Sequence, residues 1–132
     1  MGEKEYDLLM KDLCGRLPYG VMCKINNRCV KVEEINPFEG VITYDGWLSC
    51  GIDEDIKPYL RPMSSMTESE RKEFDDLSKF DEDVWMGNHK VGFPKQARIM
   101  SKCVDWLNRK MFDHRGLIPK GLANEAPEGM YN

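Results

Sequence analysis

The stretch that decides the fold runs from Val21 to Val32 and reads VMCKINNRCVKV. Apolar and polar residues alternate on both sides of the central Asn26-Asn27 pair, which is typical of two half-buried strands. Asparagine tolerates positive φ, so this dipeptide favours a two-residue type I′ turn. Folding about the turn places three pairs opposite each other: Ile25 with Arg28, Cys23 with Val30, and Val21 with Val32. Because one face is then almost wholly apolar, the sequence predicts an antiparallel hairpin of defined register.

A second hairpin is predicted around Asp45-Gly46, because Asp-Gly is a strong signal for a two-residue turn. The predicted register pairs Tyr44 with Trp47, Thr43 with Leu48, Ile42 with Ser49, and Val41 with Cys50. The Tyr44–Trp47 pair has two interpretations: a cross-strand pair that stabilises the hairpin, or an exposed platform on which a base or a peptide stacks. Two hairpins over 21–51 predict a small antiparallel sheet of four or five strands, or an SH3-like barrel if the sheet closes.

Helices are predicted on both sides of this segment. Apolar residues three and four apart predict a helix over 3–16. Thr67 and Glu70 form a capping-box sequence that starts a helix over 67–80, in which Phe74 and Leu77 are buried. The clearest apolar stripe predicts a helix over 95–111, with Gly116 as its stop. The stripe consists of Ala97, Met100, Cys103, Val104, Leu107 and Met111.

The remaining segments have the composition of turns and loops. Pro58 and Pro62 exclude a long helix over 53–63, where one tight turn and then an extended segment are expected. Residues 81–94 are predicted to be a loop. The tail, residues 117–132, is predicted to pack across the last helix near Trp106, with Arg61 or Arg115 holding Glu125 or Glu128. Its apolar residues are Leu117, Ile118, Leu122, Met130 and Tyr131. The sequence therefore predicts one α+β domain over 1–132.

Composition limits the class of protein. The chain has 132 residues and a net charge of −4, a charge that disfavours binding to a phosphate backbone. An odd number of cysteines without a CxxC pair argues against a disulfide framework, and because most of these residues sit where an apolar residue would fit, they are predicted to be reduced and mostly in the core. They are Cys14, Cys23, Cys29, Cys50 and Cys103. With no secretory signal pattern and no long apolar run, a cytoplasmic location without a membrane partner is predicted.

No motif indicates catalysis. The sequence has no nucleophile elbow, phosphate loop or dinucleotide fingerprint. His89 and His114 lie far apart along the chain, and no cysteine pair has the spacing of metal ligands. The sequence therefore predicts no enzymatic activity, no metal and no cofactor.

Three parts of the chain carry a resemblance: LPYGV at 17–21, IKPYLRPMSSMT at 56–67, and a C-terminal part made of DWL at 105–107 and FDHRGLIPKGLANEAPEGMYN at 112–132. They resemble an uncharacterised family of short proteins from Bacteroides-type gut bacteria and their phages or prophages. The resemblance covers about half of the chain and implies a setting, a commensal or mobile-element genome. It implies no activity and no catalytic residue.

The resembling segments contain polar residues that core packing does not require: Tyr59, Arg61, Asp113, Arg115, Glu128 and Tyr131. With Trp85, which either enters the core or makes an interface, they form the predicted binding set. The alternative is that Arg61 and Arg115 hold carboxylates and the tail in place.

Three functions follow as hypotheses. The leading one is a non-enzymatic accessory or interaction protein with an unidentified protein partner, a second copy of the chain included. The second is a small-ligand protein that binds or sequesters a nucleotide-type molecule, which a deep pocket lined by arginine and aromatic residues would favour. The third is a nucleic-acid-binding accessory protein, which a continuous basic face would favour.

Overall fold

The first hairpin has the predicted register. In the computed structural model, which describes residues 2–53, 55–79 and 89–131, strand β1 (Met22–Ile25) pairs with β2 (Arg28–Asn36). Cys23 lies opposite Val30 and Ile25 opposite Arg28. Both turn residues have positive φ, 50° at Asn26 and 63° at Asn27. The turn signal and the apolar alternation agree at this hairpin, and the structure follows both.

The predicted register of the second hairpin is wrong by one residue. Strands β3 (Val41–Tyr44) and β4 (Leu48–Gly51) are joined by three residues, and Tyr44 lies opposite Leu48. Residues directly opposite each other share a face of the sheet, so this register places Leu48 and Cys50 on the core side. Tyr44 is buried, whereas the Trp47 side chain is 80% exposed. The predicted Tyr44–Trp47 pair therefore does not form.

The sheet has six strands in the order β4-β3-β2-β1-β5-β6. Strand β5 (Lys57–Leu60) is antiparallel to β1, and the short β6 (Asn124–Glu125) is parallel to β5. Strand β2 is shared by both hairpins and has an irregularity between Val32 and Glu34. The SH3-like barrel is not confirmed, because β4 and β6 are the two edges of an open strand order.

Helix α1 (Glu3–Arg16) covers the core face of the sheet, and a 3-10 turn follows at Leu17–Tyr19. Its Leu9 and Leu13 are buried with the apolar strand residues. Helix α2 (Glu68–Ser78) starts with the predicted capping box, in which Thr67 accepts from the Glu70 N–H and the Glu70 carboxylate accepts from the Thr67 N–H. Across the described ranges, no helix is long and apolar enough to cross a membrane.

Helix α3 spans His89–Arg109 and differs from its prediction in three ways. It begins inside the segment predicted to be a loop, and it ends well before Gly116. Its buried residues among those with described side chains are Cys103, Trp106, Leu107 and Asn108, while Met100 is 63% exposed. Ala97 and Val104 are also exposed, and Met111 is buried but lies beyond the helix.

Trp106 explains which face of α3 is buried. Its ring lies 5.4 Å from that of Phe74 in α2 and 5.7 Å from that of Phe112, measured between centroids. Burying Trp106 removes more apolar surface from water than burying either Met100 or Val104, the two exposed large residues of the predicted stripe, while Cys103 and Leu107 are buried beside it. The predicted burial of Phe74 and Leu77 is only partial, because α2 packs on this small cluster rather than on the sheet core.

The tail packs against the domain as predicted, but in another place. Leu117 and Leu122 are buried with the sheet core, and β6 extends the sheet beside β5. The tail therefore covers a sheet edge instead of crossing α3 near Trp106.

The cysteine prediction is partly wrong. All five cysteines are unpaired, but of these only Cys23 and Cys103 are buried. Cys14 and Cys29 are exposed. Cys29 is exposed because it lies on the outer, polar face of the first hairpin. Burial raises the pKa of the Cys23 thiol far above its usual range, so this cysteine stays protonated.

Gly46 supplies the first test of the fold. Its φ is 81°, and no atom lies within 4 Å of a Cβ added there, so a side chain meets backbone strain without a clash. We expect Gly46→Val to lower the free energy of unfolding by more than about 1 kcal/mol. Gly51→Val in β4, where φ is not positive, is the matched control and should cost less. Equal losses in urea unfolding would contradict the strained turn.

Candidate functional site

The predicted binding residues do not form one site. Arg61, Glu128 and Tyr131 line a cleft of about 590 Å³ together with Ser65, Thr67, Glu70 and Glu125. Asp113 and Arg115 lie in or beside a buried ionic cluster around Asp12. Tyr59 is half-buried in β5, and Trp85 lies outside the described residues.

Arg61 is fully engaged within the protein. Its Nη1 and Nη2 donate to the two carboxylate oxygens of Glu70 at 2.8 and 2.7 Å. The guanidinium also lies 4.1 Å above the centre of the Phe112 ring. The hydrogen bonds from Arg61 hold the pKa of Glu70 at about 2. Because this cation is already neutralised, it is poorly placed to bind a ligand anion.

Tyr131 attaches the tail to two strands. Its hydroxyl accepts from the Met22 N–H at 3.0 Å and donates to the Tyr59 carbonyl at 2.7 Å. Burial raises the pKa of this phenol well above its usual range. The other charges of the cleft are the exposed Glu125 and Glu128, so carboxylates outnumber its arginine. The cleft therefore has the wrong charge for a nucleotide phosphate.

A buried ionic cluster connects both ends of the chain. Asp12 accepts from Arg16 Nε at 2.9 Å and from Arg115 Nη1 at 2.7 Å, and Asp12 and Arg16 are fully buried. Arg16 Nη2 donates to the Phe112 carbonyl at 2.7 Å. The hypothesis that Arg61 and Arg115 hold carboxylates agrees with this geometry. The predicted partners, Glu125 and Glu128, are wrong.

Asp113 has a structural role beside this cluster. Its two carboxylate oxygens accept from the Leu117 and Ile118 N–H groups at 2.8 and 2.9 Å. These bonds fix the turn that leads into the tail. Over the ranges that the structure describes, no group of three or more histidine, cysteine or acidic residues is placed to hold a metal ion.

His114 is held neutral at the rim of the same cluster. Its Nε2 lies 2.8 Å from the Asn108 side-chain oxygen. Burial and the positive charges of Arg115 and Arg16 lower its pKa to about 4. His114 is therefore uncharged at neutral pH.

The free edge of β4 is a separate surface that offers hydrogen-bonding groups. The Ile52 N–H donates to the Gly40 carbonyl, so by the alternation of an antiparallel ladder the main-chain groups of Ser49 and Gly51 point away from β3. Both residues are exposed, and β4 contains no charged residue and no proline. Within residues 2–53, 55–79 and 89–131, no strand pairs with these main-chain groups, so a further strand can.

Two exposed aromatic residues flank this edge. Trp47 directly precedes β4, and Phe38, which is 99% exposed, lies on the turn at the end of the sheet where β4 finishes. The Asn36 side-chain oxygen accepts from the Phe38 and Glu39 N–H groups at 3.1 and 3.2 Å, so the turn that presents Phe38 is ordered. We call β4 with Trp47 and Phe38 the open edge.

Sequence reasoning identified only part of the open edge. It considered Trp47 as an exposed platform, and the structure confirms that this side chain is exposed. Phe38 was not among the predicted residues, although an aromatic residue inside an Asn-Pro turn is a usable signal of exposure. Comparison of the chain with family models, with curated proteins and with solved structures found no match.

The pH dependence of stability tests the position of His114. Its pKa falls from 6.5 when unfolded to about 4 when folded. Between these values the unfolded chain binds a proton that the folded chain does not, so the free energy of unfolding decreases as the pH is lowered through this window. We expect His114→Gln to flatten this dependence in urea unfolding. An unchanged slope would contradict the buried neutral histidine.

The tail contact is tested by Tyr131→Phe. This change leaves the Met22 N–H and the Tyr59 carbonyl without their partner, which costs about 1–3 kcal/mol. Tyr19→Phe, at an exposed tyrosine, is the matched control and should change the melting temperature little. Similar melts for both variants would show that the hydroxyl does not hold the tail.

Proposed function

We propose that this protein is a non-enzymatic interaction protein that binds an extended segment of a partner protein along the open edge. The observation that carries the proposal is an uncharged edge strand whose outer side pairs with no strand among the described residues, with an exposed aromatic residue near each end. An accessory role in a gut-bacterial or phage genome and a cytoplasmic location are parts of the same proposal.

Strand addition fits the chemistry of β4. Exposed edges usually carry lysine, proline or a bulge that prevents pairing with other chains, and β4 has no lysine or proline. A segment that pairs with Ser49 and Gly51 gains main-chain hydrogen bonds, and its side chains cover the half-buried Leu48 and Cys50. Trp47 offers apolar area with little conformational entropy to lose, which is the usual property of a binding anchor.

A different chain is a better partner than a second copy. In an antiparallel pair of two β4 strands, residues before one strand come beside residues after the other. Asp45 of one copy, which is ion-paired with its own Arg28 at 2.9 Å, would then approach Asp53 of the other, and facing like charges are destabilising. The acidic surroundings favour a neutral or basic segment.

The two alternative functions have weaker support. The cleft contains the arginine and the tyrosine expected of a nucleotide site, but Arg61 is neutralised by Glu70 and the Tyr131 hydroxyl bonds to the main chain. The open edge has carboxylates around it, and these repel a phosphate backbone. Neither surface has the charge that its ligand would need.

Ser49→Pro tests the proposal without disturbing the core. Proline is tolerated on an edge strand where its missing N–H faces solvent, and it removes a donor that strand addition needs. Ser49→Ala, which keeps the N–H, is the matched control. We expect random octapeptides displayed on a carrier to be retained by the native protein and by Ser49→Ala, and not by Ser49→Pro, at equal melting temperatures.

Two results would contradict the proposal. One is retention of the same peptides by Ser49→Pro. The other is a dimer in analytical ultracentrifugation that Ser49→Pro dissociates, which would assign the open edge to a second copy of the chain.

A further inference from the structure

A shallow depression lies on the outer face of the sheet beside the open edge. Its volume is about 440 Å³, and its lining includes Ser49 of β4, Thr43 of β3, and Glu34 of β2. These three residues form one row across the sheet, because Glu34 lies opposite Thr43 and Thr43 opposite Ser49. Side chains in such a row share a face. The row therefore runs from the open edge to a carboxylate.

The charge of this depression is uncompensated. Glu34 and Glu39 are its only charged lining residues, and both are exposed. In the part of the chain that the structure describes, neither carboxylate has an ion-pair partner. A positive group placed over the row would be attracted by the Glu34 carboxylate in the row and by Glu39 beside it, and among the described residues no other cation lines the depression.

Side chains of an added strand alternate between the two faces of the sheet, and this alternation decides which residue of a partner lies on the side of the row. Successive side chains of a strand point to opposite faces, so the residue beside Ser49 projects over the outer face and its two neighbours project toward Leu48 and Cys50. The added strand lies three strand spacings, about 14 Å, from Glu34. The small Ser49 and Thr43 leave room above them, so a long basic side chain lying over these two residues can approach the Glu34 side chain where that extends toward it, which a short side chain cannot.

We infer that the partner segment carries lysine or arginine beside Ser49 and apolar residues at the two adjacent positions. This inference rests on the proposed function, since it requires a strand at the open edge. The basic residue leans over Ser49 and Thr43 toward Glu34 and Glu39, while its apolar neighbours complete the burial of Leu48 and Cys50. Charge at this row selects among segments that could all form the same main-chain bonds.

The test uses the same display library. Octapeptides that the native protein retains and Ser49→Pro does not are sequenced, and the most enriched one is synthesised. We expect basic and apolar residues to alternate in these peptides. We also expect the synthetic peptide to bind about three- to tenfold more weakly to the double variant Glu34→Gln with Glu39→Gln, because ion pairs with exposed carboxylates are weak.

Asp105→Asn, at an exposed carboxylate of α3, is the matched control and should bind like the native protein. Edge-dependent peptides without a basic preference would overturn the inference and leave the proposed function standing. The same holds if the double variant binds as tightly as the control. A library with no edge-dependent peptide would overturn both.

Discussion

The buried carboxylate of Asp12 is the contact on which the placement of the two ends of the chain depends. It binds Arg16 one helical turn further along α1 and Arg115 at a separation of 103 residues. Removing one member of such a buried group leaves another charge without compensation, which costs about 3–5 kcal/mol. Other arrangements of α1 against the C-terminal segment are therefore penalised, even though the group itself contributes little net stability over an apolar replacement.

The rest of the C-terminal segment follows from this contact. Arg16 also holds the Phe112 carbonyl, and the Phe112 ring lies under the guanidinium of Arg61. Asp113 then fixes the turn at Leu117, from which the chain returns to pair with β5. Burial and then the two nearby arginines explain why the pKa of His114 is low and the ring neutral, since a further positive charge at this place would be poorly solvated and repelled. Helix, turn and tail are thus positioned by one continuous set of polar contacts.

How much of this fold can be predicted depends on whether two local rules agree. At Asn26-Asn27 the turn signal and the apolar alternation give the same register, and the prediction is confirmed. At Asp45-Gly46 they disagree, because a two-residue turn would place Trp47 on the core face where the structure has Leu48. Burial decides such a conflict, since a register slip moves every side chain of the strand to the other face. The ionic contacts are less predictable, because nothing local to Arg115 indicates Asp12.

The two sides of the sheet differ in how far the C-terminal tail covers them, and this difference leaves one side open to a further strand. The edge of β5 is closed by β6, by the bond from the Ala126 N–H to the Leu60 carbonyl, and by the Tyr131 hydroxyl. These contacts exist because the Asp12 cluster delivers the tail to that side of the sheet. None of the described residues covers strand β4 in this way, so among them Leu48 and Cys50 are half-buried beside main-chain groups that no strand pairs with. The same alternation that fixes the register of β4 is the basis of the proposed partner segment, in which apolar residues lie over this pair and the side chain between them faces the carboxylate row.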